Sequence, residues 1–260
     1  MTSNTLTIGS HAFEGCTRLH TATFPFKLKT LKLGEGTFSA CTSIKHFVFP
    51  EGIKTLTIGN AAFSGCSDLE TITFPSSLET LTIGDEAFWG CEKLKNIEII
   101  ADDVTIGKGI FSYCEEFTSI KIKGKKTLTI AEQGFFAPTV YDKYLPVTEL
   151  YLESEKMNIG DNLGVDPDTL ETLGADFVTV KNICGSMNRD NNKLKNLYIY
   201  QEVNYGNTAK QSEGLKNLSK LTNIYLAEDL GLKLGPGALK NCTSLRKITT
   251  LNDTTTITSD

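Results

Sequence analysis

The sequence predicts a β-rich solenoid, a fold in which successive copies of one short unit stack on each other. The first observation behind this prediction is a repeat, because a glycine, a phenylalanine and a cysteine each recur every 25 residues. They lie at Gly9, Gly34, Gly59 and Gly84, at Phe13, Phe38, Phe63 and Phe88, and at Cys16, Cys41, Cys66 and Cys91. A fixed period of this length is typical of repeat proteins, whose copies bury their apolar faces against their neighbours.

The second observation is the alternation of apolar and polar residues within each copy. In the third copy, one run contains Leu69, Ile72 and Phe74, and a second run contains Leu81 and Ile83, with threonines between them. Alternation with period two predicts two short strands per copy and little helix. We expect the Leu-x-x-Ile-x-Phe strands to form a parallel sheet along one face of the solenoid and the shorter Leu-Thr-Ile strands to line the other.

The shared pattern L-x-I-G-x-x-x-F-x-x-C-x-x-L-x-x-I-x-F-P resembles the BspA-type leucine-rich repeat (LRR) of bacterial surface proteins. The resemblance covers nearly the whole chain and is most specific in the first four copies. It implies a right-handed leucine-rich-repeat superhelix. It also implies a non-enzymatic surface protein that engages host matrix proteins or other bacteria.

The copies differ in regularity, and we interpret 1–260 as a single domain of about ten of them. Copies in 5–125 are regular and those in 126–226 are degenerate. The segment 227–260 contains a last regular copy and the start of a partial copy at Ile257. Asn, Asp, Gly and Lys accumulate in three segments that we predict to be protruding loops, at 138–148, 184–193 and 200–214.

Composition and charge restrict the classes of partner. The chain is 40% hydrophobic and 22% charged, as in soluble folded proteins, and no apolar run is long enough to span a membrane. Its net charge of −5 and pI near 5.4 give no basic field for nucleic acid. We therefore expect no nucleic-acid partner, no membrane insertion of this segment, and a monomer.

The first residues have no basic or apolar segment of the kind found in signal peptides, and they enter the pattern in the middle of a repeat. We expect an extracellular or cell-surface protein whose export signal has been removed from this chain. The alternative is a cytoplasmic start.

Six of the seven cysteines occupy one repeat position, and Cys184 does not. We predict that these six are reduced and buried in the core, at Cys16, Cys41, Cys66, Cys91, Cys114 and Cys242. The sequence has no C-x-x-C or Cys/His cluster of the kind that binds metals, so we expect neither a metal nor a cofactor.

No candidate catalytic group emerges from the titratable residues. The three histidines, His11, His20 and His46, lie in the first two copies, where the neighbouring cysteines point inward. Consecutive acids at 102–103 and at 115–116 are expected to be solvated, because side chains on a turn diverge. Lys121, Lys123, Lys125 and Lys126 are expected to lie on a solvated turn.

The candidate binding surface consists of the outward positions of the Leu-x-x-Ile-x-Phe strand. In the regular copies these positions hold Thr21 and Thr23, His46 and Val48, Thr71 and Thr73, Asn96 and Glu98, followed by Lys121. In the degenerate copies they hold Glu149, Tyr151, Asn196, Tyr198, Asn223 and Tyr225. Because tyrosine is enriched at binding hot spots, we predict that these six residues contact a ligand. The alternative is that tyrosine is there only because it suits an open sheet face.

These observations predict a non-enzymatic binding module that contacts a protein or glycan through its sheet face. One alternative is a carbohydrate-active β-solenoid enzyme, which requires carboxylates from neighbouring turns to converge in a groove. The other is an intracellular LRR scaffold.

Overall fold

The computed structural model describes residues 4–136, 145–160, 162–176, 179–180, 183, 192–200, 215–227, 239–250 and 256–257. The chain forms two compact units. The first unit consists of Met1–Pro146 and Ser154–Val165, and the second consists of Val147–Glu153 and Asp166–Asp260.

The first unit is a parallel β-solenoid. Its strands are β1 (Thr5–Ile8), β2 (Thr30–Leu33), β3 (His46–Val48), β4 (Thr55–Ile58), β5 (Thr71–Thr73), β6 (Thr80–Ile83), β7 (Asn96–Ile106) and β8 (Ser119–Ile130). The second half of β9 (Glu149–Ile159) belongs to this unit as well. The sheet has the order β1-β2-β4-β6-β7-β8, and β3 pairs with β5 in a separate two-stranded sheet. Each of these pairs is parallel and in repeat register, as in Leu31↔Leu56 and Leu56↔Leu81.

In the regular copies, the strand type that we predicted to be the shorter one is the longer one. The Leu-Thr-Ile strands form the longer sheet, whereas the Leu-x-x-Ile-x-Phe strands are only three residues long in β3 and β5, and Thr21–Thr23 form no strand. The cause is the proline at 25, 50 and 75, which follows the phenylalanine, lacks an N–H donor and ends the strand. In the next copy, Ile100 stands where this proline would be. Strand β7 therefore continues without a break from the Leu-x-x-Ile-x-Phe segment into the Leu-Thr-Ile segment, and it ends at Ile106.

The core of the first unit is a column of stacked phenylalanines. Ring centroids lie 5.2 Å apart for Phe13 and Phe38, 5.4 Å for Phe38 and Phe63, and 5.5 Å for Phe63 and Phe88. The column continues through Phe111 and Phe135. All of these rings are buried except Phe13, which is 39% exposed.

The repeated cysteines form a second column inside the solenoid. Cys41, Cys66, Cys91, Cys114 and Cys242 are free and buried, as predicted, but Cys16 is exposed, so the prediction was wrong there. Each buried thiol donates a hydrogen bond to a carbonyl one turn earlier, at 3.0 Å from Cys41 Sγ to Phe13 O and 3.2 Å from Cys66 Sγ to Phe38 O. The thiols therefore act as small buried donors between turns. Cys184 lies outside the described residues.

The repeated glycine is required by a close approach between neighbouring turns. A Cβ atom on Gly59 would lie 2.6 Å from the carbonyl carbon of Gly34, and one on Gly84 would lie 2.7 Å from the backbone nitrogen of Asn60. Backbone atoms cannot move aside as the end of a flexible side chain can. Any larger residue would therefore force the turns apart.

The second unit continues the parallel pattern in looser copies. It contains the first half of β9, then β10 (Thr172–Ala175), β11 (Asn196–Ile199), β12 (Asn223–Leu226), β13 (Lys247–Thr250) and β14 (Thr256–Ile257). Strands β9 to β13 pair in parallel and in chain order. Strand β14 pairs antiparallel with β13, so Ile257 does not begin another parallel copy. Within the described residues, helical backbone is confined to short stretches such as Thr179–Val180.

The fold is therefore the predicted leucine-rich-repeat solenoid with a parallel sheet and almost no helix, and it has about eight turns where about ten were expected. In the first predicted loop, Leu145 forms a parallel bridge with Val165. Residues 137–144, 184–191 and 201–214, which make up most of the three predicted loops, lie outside the described residues.

Candidate functional site

The register of the second unit brings the predicted tyrosines into one column. Strand pairing aligns Tyr151 with Gly174, Gly174 with Tyr198, and Tyr198 with Tyr225. Because side chains alternate along a strand, all three tyrosines project from the same face of the sheet. We call Tyr151, Tyr198 and Tyr225 the tyrosine column.

The rings of the tyrosine column contact each other. Tyr198 and Tyr225 are stacked, with centroids 4.4 Å apart and ring planes 10° apart. Tyr151 and Tyr198 lie 5.6 Å apart at 57°, although their strands are separated by β10 and strands two apart are about 9.6 Å from each other. The rings can approach in this way because Gly174 has no side chain between them.

Two residues that the sequence analysis did not single out complete this surface. A Cβ atom on Gly174 would lie 2.7 Å from Cδ1 of Tyr151 and 2.8 Å from the hydroxyl oxygen of Tyr200, so the gap at Gly174 is filled by aromatic rings. Tyr200 lies 6.5 Å from Tyr198, at 27°. Its position was visible in the sequence, because Tyr198 and Tyr200 are two residues apart and so face the same side.

Glu149, Asn196 and Asn223 form a second column beside the tyrosines. Thr172 lies between Glu149 and Asn196 in the register, and Asn196 pairs with Asn223. The Nδ2 atom of Asn223 donates a 2.8 Å hydrogen bond to Oδ1 of Asn196. All six predicted ligand contacts are thus on one face of the sheet, where they are half-buried.

Burial and nearby carboxylates raise the pKa of two of the phenols, Tyr151 and Tyr200. Burial raises the pKa of Tyr151, and the charge of Glu149 raises it further. Burial also raises the pKa of Tyr200, with a further contribution from the charge of Glu153. The surface thus combines aromatic rings, hydroxyl groups and negative charge.

The corresponding face of the first unit has a different character. The side chains at its outward positions are small or polar apart from Val48, and all of them are exposed, as predicted: Thr21, Thr23, His46, Val48, Thr71, Thr73, Asn96, Glu98 and Lys121. A 2.9 Å hydrogen bond joins Nδ1 of His46 and Oγ1 of Thr71, one turn apart. Among the described residues, this face carries no aromatic column.

The acidic pairs considered as catalytic candidates have other partners. Asp102 lies 2.9 Å from the ammonium group of Lys126 and 3.6 Å from that of Lys125, and the hydrogen bond from Lys126 lowers the pKa of this carboxyl. The hydroxyl of Thr127 donates a 2.7 Å hydrogen bond to Asp103. Glu116 forms an ion pair with Lys95 at 3.4 Å.

The described parts of the chain contain no group of three or more His, Cys, Asp or Glu side chains arranged to hold a metal ion. His11 lies beside Glu14 at 2.9 Å, on the surface. None of the helical segments that the structure describes has the length and apolar character required to cross a membrane.

The fold and this surface define a leucine-rich-repeat β-solenoid that displays a variable face over a repeated core. The particular family follows from the sequence match. Six copies of the BspA type leucine rich repeat region match residues 1–82, 32–162 and 178–260. The chain therefore belongs to the BspA-type leucine-rich-repeat family. No curated protein matches this sequence.

Solved structures of bacterial leucine-rich-repeat proteins are similar to this chain. One is a leucine rich cell surface protein from Faecalibacterium prausnitzii, at 16% identity and TM-score 0.38, covering 95% of this chain and 70% of that one. Another is a leucine-rich repeat protein from Bacteroides ovatus, at 22% identity and TM-score 0.39, covering 95% of this chain and 64% of that one. A third, from Eubacterium ventriosum, has 15% identity and TM-score 0.25, and covers 95% and 80% of the two chains.

Proposed function

We propose that this protein is a non-enzymatic binding module of a bacterial cell-surface protein, and that it mediates adhesion by contacting a protein or a glycan through the sheet face of the second unit. This proposal rests mainly on the tyrosine column. We further propose that 1–260 acts as one BspA-like domain, and that it is secreted or surface-exposed, as its family membership suggests.

The column has the properties of a binding hot spot. Tyrosine offers a large contact area at a small cost in side-chain entropy, and it is enriched where binding energy concentrates. The stacking of Tyr198 on Tyr225 fixes both rings before a partner arrives. A surface that is already ordered loses less entropy on binding, which favours affinity.

A comparison of the two units supports the same assignment. The regular copies present threonine at Thr71 and Thr73, whereas equivalent outward sites in the second unit hold half-buried tyrosines around a glycine. Gly174 weakens a strand, because it loses more backbone entropy on folding than other residues. A sheet selected only for stability would avoid this combination.

The pairing of carboxylates favours this proposal over a carbohydrate-active enzyme. A glycosidase needs two carboxyl groups facing one substrate. Of the consecutive acids considered for that role, Asp102, Asp103 and Glu116 are engaged by lysines or a threonine on neighbouring turns. The intracellular scaffold is distinguished from the surface module by locating the full gene product in intact and fractionated cells.

The test is to replace Tyr151, Tyr198 and Tyr225 with serine in the full chain and to measure binding to ligands identified on matrix-protein and glycan arrays. We expect affinity to fall at least about tenfold, because three aromatic contacts are removed. Circular dichroism should show an unchanged sheet signal.

The matched control replaces three exposed residues of the first unit, Thr71, Thr73 and Glu98, with serine. This control should bind as the unmodified chain does. Unchanged affinity in the tyrosine variant, or loss of binding only in the control, would contradict the proposal.

A further inference from the structure

A second aromatic surface lies in the first unit, outside the tyrosine column. Trp89 and Tyr113 occupy equivalent turns of neighbouring copies, and their ring centroids are 5.0 Å apart at 57°. Trp89 is 39% exposed and Tyr113 is 38% exposed. Beneath them, the buried ring of Phe136 lies 6.3 Å from Tyr113. We call Trp89 and Tyr113 the aromatic pair.

The backbone brings these two side chains together. The N–H of Gly90 donates a 2.8 Å hydrogen bond to the carbonyl of Ser112, so the residues on either side of this bond, Trp89 and Tyr113, become neighbours on the surface. The pair is therefore held by main-chain hydrogen bonds between turns and does not depend on a flexible loop.

The other copies serve as internal controls for what folding requires at these two positions. Two residues before the cysteine, where Trp89 stands, they have Glu14, Ser39, Ser64, Ser112 and Lys240. One residue before the cysteine, where Tyr113 stands, they have Gly15, Ala40, Gly65, Gly90 and Asn241. Polar residues suit the first position and small residues or asparagine suit the second, so neither aromatic ring is explained by the repeat fold.

Tyr113 also has an unfavourable backbone conformation. Its φ is 63°, in the left-handed region that glycine and asparagine occupy most readily, and Gly65, Gly90 and Asn241 adopt the same conformation with φ of 70°, 67° and 63°. A tyrosine at this position costs stability relative to those residues. Such outliers cluster where function requires a particular side chain.

The size and surroundings of the aromatic pair indicate what it binds. Stable protein interfaces bury about 800 Å² per partner around an apolar centre, and two partly exposed rings are small by that measure. Exposed charged residues lie within five positions of one ring or the other in the sequence, at Asp85, Glu86, Glu92, Lys93, Lys108, Glu115 and Glu116. A small aromatic surface among polar residues suits a sugar ring, which has an apolar C–H face and a rim of hydroxyl groups.

We propose that Trp89 and Tyr113 form a carbohydrate-binding platform that stacks on one or two sugar rings of a neutral oligosaccharide. The electron-rich faces of the indole and phenol rings attract the C–H groups of the sugar. Five of these seven charged residues are negative, which disfavours acidic sugars. The site is separate in residues and in unit from the tyrosine column.

The protein contains a single tryptophan, so its intrinsic fluorescence reports directly on this platform. The full chain is titrated with neutral hexasaccharides of β-1,3-glucan, β-1,4-linked N-acetylglucosamine, α-1,4-glucan and β-1,4-mannan. We expect a saturable change in emission with at least one of them. Isothermal titration calorimetry with the same sugar should show that Trp89→Ser abolishes binding.

Tyr113→Asn provides the specific variant, because Asn241 already occupies the equivalent position with the same φ. We expect its thermal stability to equal or exceed that of the unmodified chain, while affinity for the sugar falls at least about tenfold. The variant with serine at positions 151, 198 and 225 should retain full sugar affinity, which separates this site from the proposed function.

Three results would overturn the carbohydrate platform. One is that none of the four hexasaccharides changes the emission. Another is that Tyr113→Asn binds the sugar as tightly as the unmodified chain. The third is that Trp89→Ser still binds the sugar in isothermal titration calorimetry.

Discussion

At the scale of single residues, each repeated phenylalanine contributes both its ring and its carbonyl to the contact between turns. The ring of Phe63 lies 5.4 Å from Phe38, 5.5 Å from Phe88 and 4.7 Å from Phe47. Its carbonyl accepts the thiol of Cys91 at 3.2 Å. The ring therefore packs against the turn on each side of its own.

We predict that Phe63→Ala lowers the free energy of unfolding by about 3–5 kcal/mol, because a cavity opens in a fully buried column. Urea unfolding followed by circular dichroism measures the change. Phe13→Ala is the control, and it should cost less than half as much because that ring is partly exposed. A loss below about 1 kcal/mol at Phe63 would mean that the ring does not support the column.

The buried thiols give stability a dependence on alkaline pH. Burial raises the pKa of Cys66 from 9.0 to about 12. The folded chain therefore keeps this proton at pH values where the unfolded chain loses it. The contribution of the thiol is complete below pH 9 and is lost as the pH rises towards 12.

We expect the free energy of unfolding to decrease above pH 9 in the unmodified chain. In Cys66→Ala the decrease should be smaller, by up to about 1.4 kcal/mol per pH unit. Urea unfolding at pH values of about 7.5, 9 and 10 compares the two slopes. Because lysines and tyrosines titrate in both proteins, only the difference between slopes reports on the thiol, and equal slopes would contradict the prediction.

At the scale of repeated elements, the column of cysteines predicts a pattern of chemical reactivity. Cys41, Cys66, Cys91, Cys114 and Cys242 are buried and therefore inaccessible to a reagent. Burial also raises the pKa of thiols such as Cys66 and Cys91, which disfavours the reactive thiolate. Cys16 is exposed. We predict that a thiol reagent modifies Cys16 within minutes and the buried five only after unfolding.

Peptide mapping by mass spectrometry after brief native labelling identifies the modified sites. A Cys184→Ser background removes the cysteine that lies outside the described residues. Rapid modification of most of the five buried thiols would show that the column is open to solvent.

The packing of the rings in the tyrosine column depends on Gly174, which lies in strand β10. A Cβ atom at Gly174 would lie 2.7 Å from the ring of Tyr151, so Gly174→Ala forces the rings apart. We predict that this substitution lowers the free energy of unfolding by about 1–3 kcal/mol and weakens binding through the column.

Thermal unfolding and array binding measure the two effects of Gly174→Ala. Gly9→Ala is the matched control, because a Cβ atom there meets nothing within 4 Å. If Gly174→Ala behaved like Gly9→Ala in both measurements, the close packing of the rings around this glycine would be unimportant.

The positions of repeated elements were predictable from the sequence, but their lengths and some contacts were not predicted. The 25-residue period located the phenylalanine and cysteine columns. The difference in length between β3 and β7 also has a sequence signal, since Pro50 ends one strand and Ile100 lets the other continue.

The candidate sites could be predicted only in part, because the contacts between their side chains depend on geometry that the residue pattern does not specify. Register alone places Tyr151, Tyr198 and Tyr225 on one face. The 5.6 Å contact between the rings of Tyr151 and Tyr198 depends on how far both rings tilt towards each other over Gly174, which has no side chain. Likewise, the contact between Trp89 and Tyr113 depends on the hydrogen bond from Gly90 to Ser112, which no residue pattern specifies.

At the scale of the whole molecule, the stacking of turns predicts how a local defect spreads. In a solenoid each turn is stabilised by its immediate neighbours, so destabilisation decreases with the number of turns from the defect. In Phe63→Ala, we expect amide hydrogen exchange to accelerate most in β4, less in β2 and β6, and least in β1.

Hydrogen exchange with mass spectrometry of the native chain measures this gradient. The comparison is with Thr71→Ser, a substitution at an exposed strand position of the same unit. Uniform acceleration across all four strands would show that the first unit opens as a single cooperative block.

The hydrogen bond from each buried thiol has a consequence for how such genes change length. Cys66 donates to Phe38, Cys91 to Phe63 and Cys114 to Phe88, so a regular repeat such as the one with Phe63 and Cys66 contributes one donor to the turn before it and one acceptor to the turn after it. An in-frame duplication or deletion of one 25-codon segment therefore leaves no donor or acceptor unmatched. Recombination between misaligned repeats can therefore lengthen or shorten the regular part of the solenoid by whole turns without a compensating mutation.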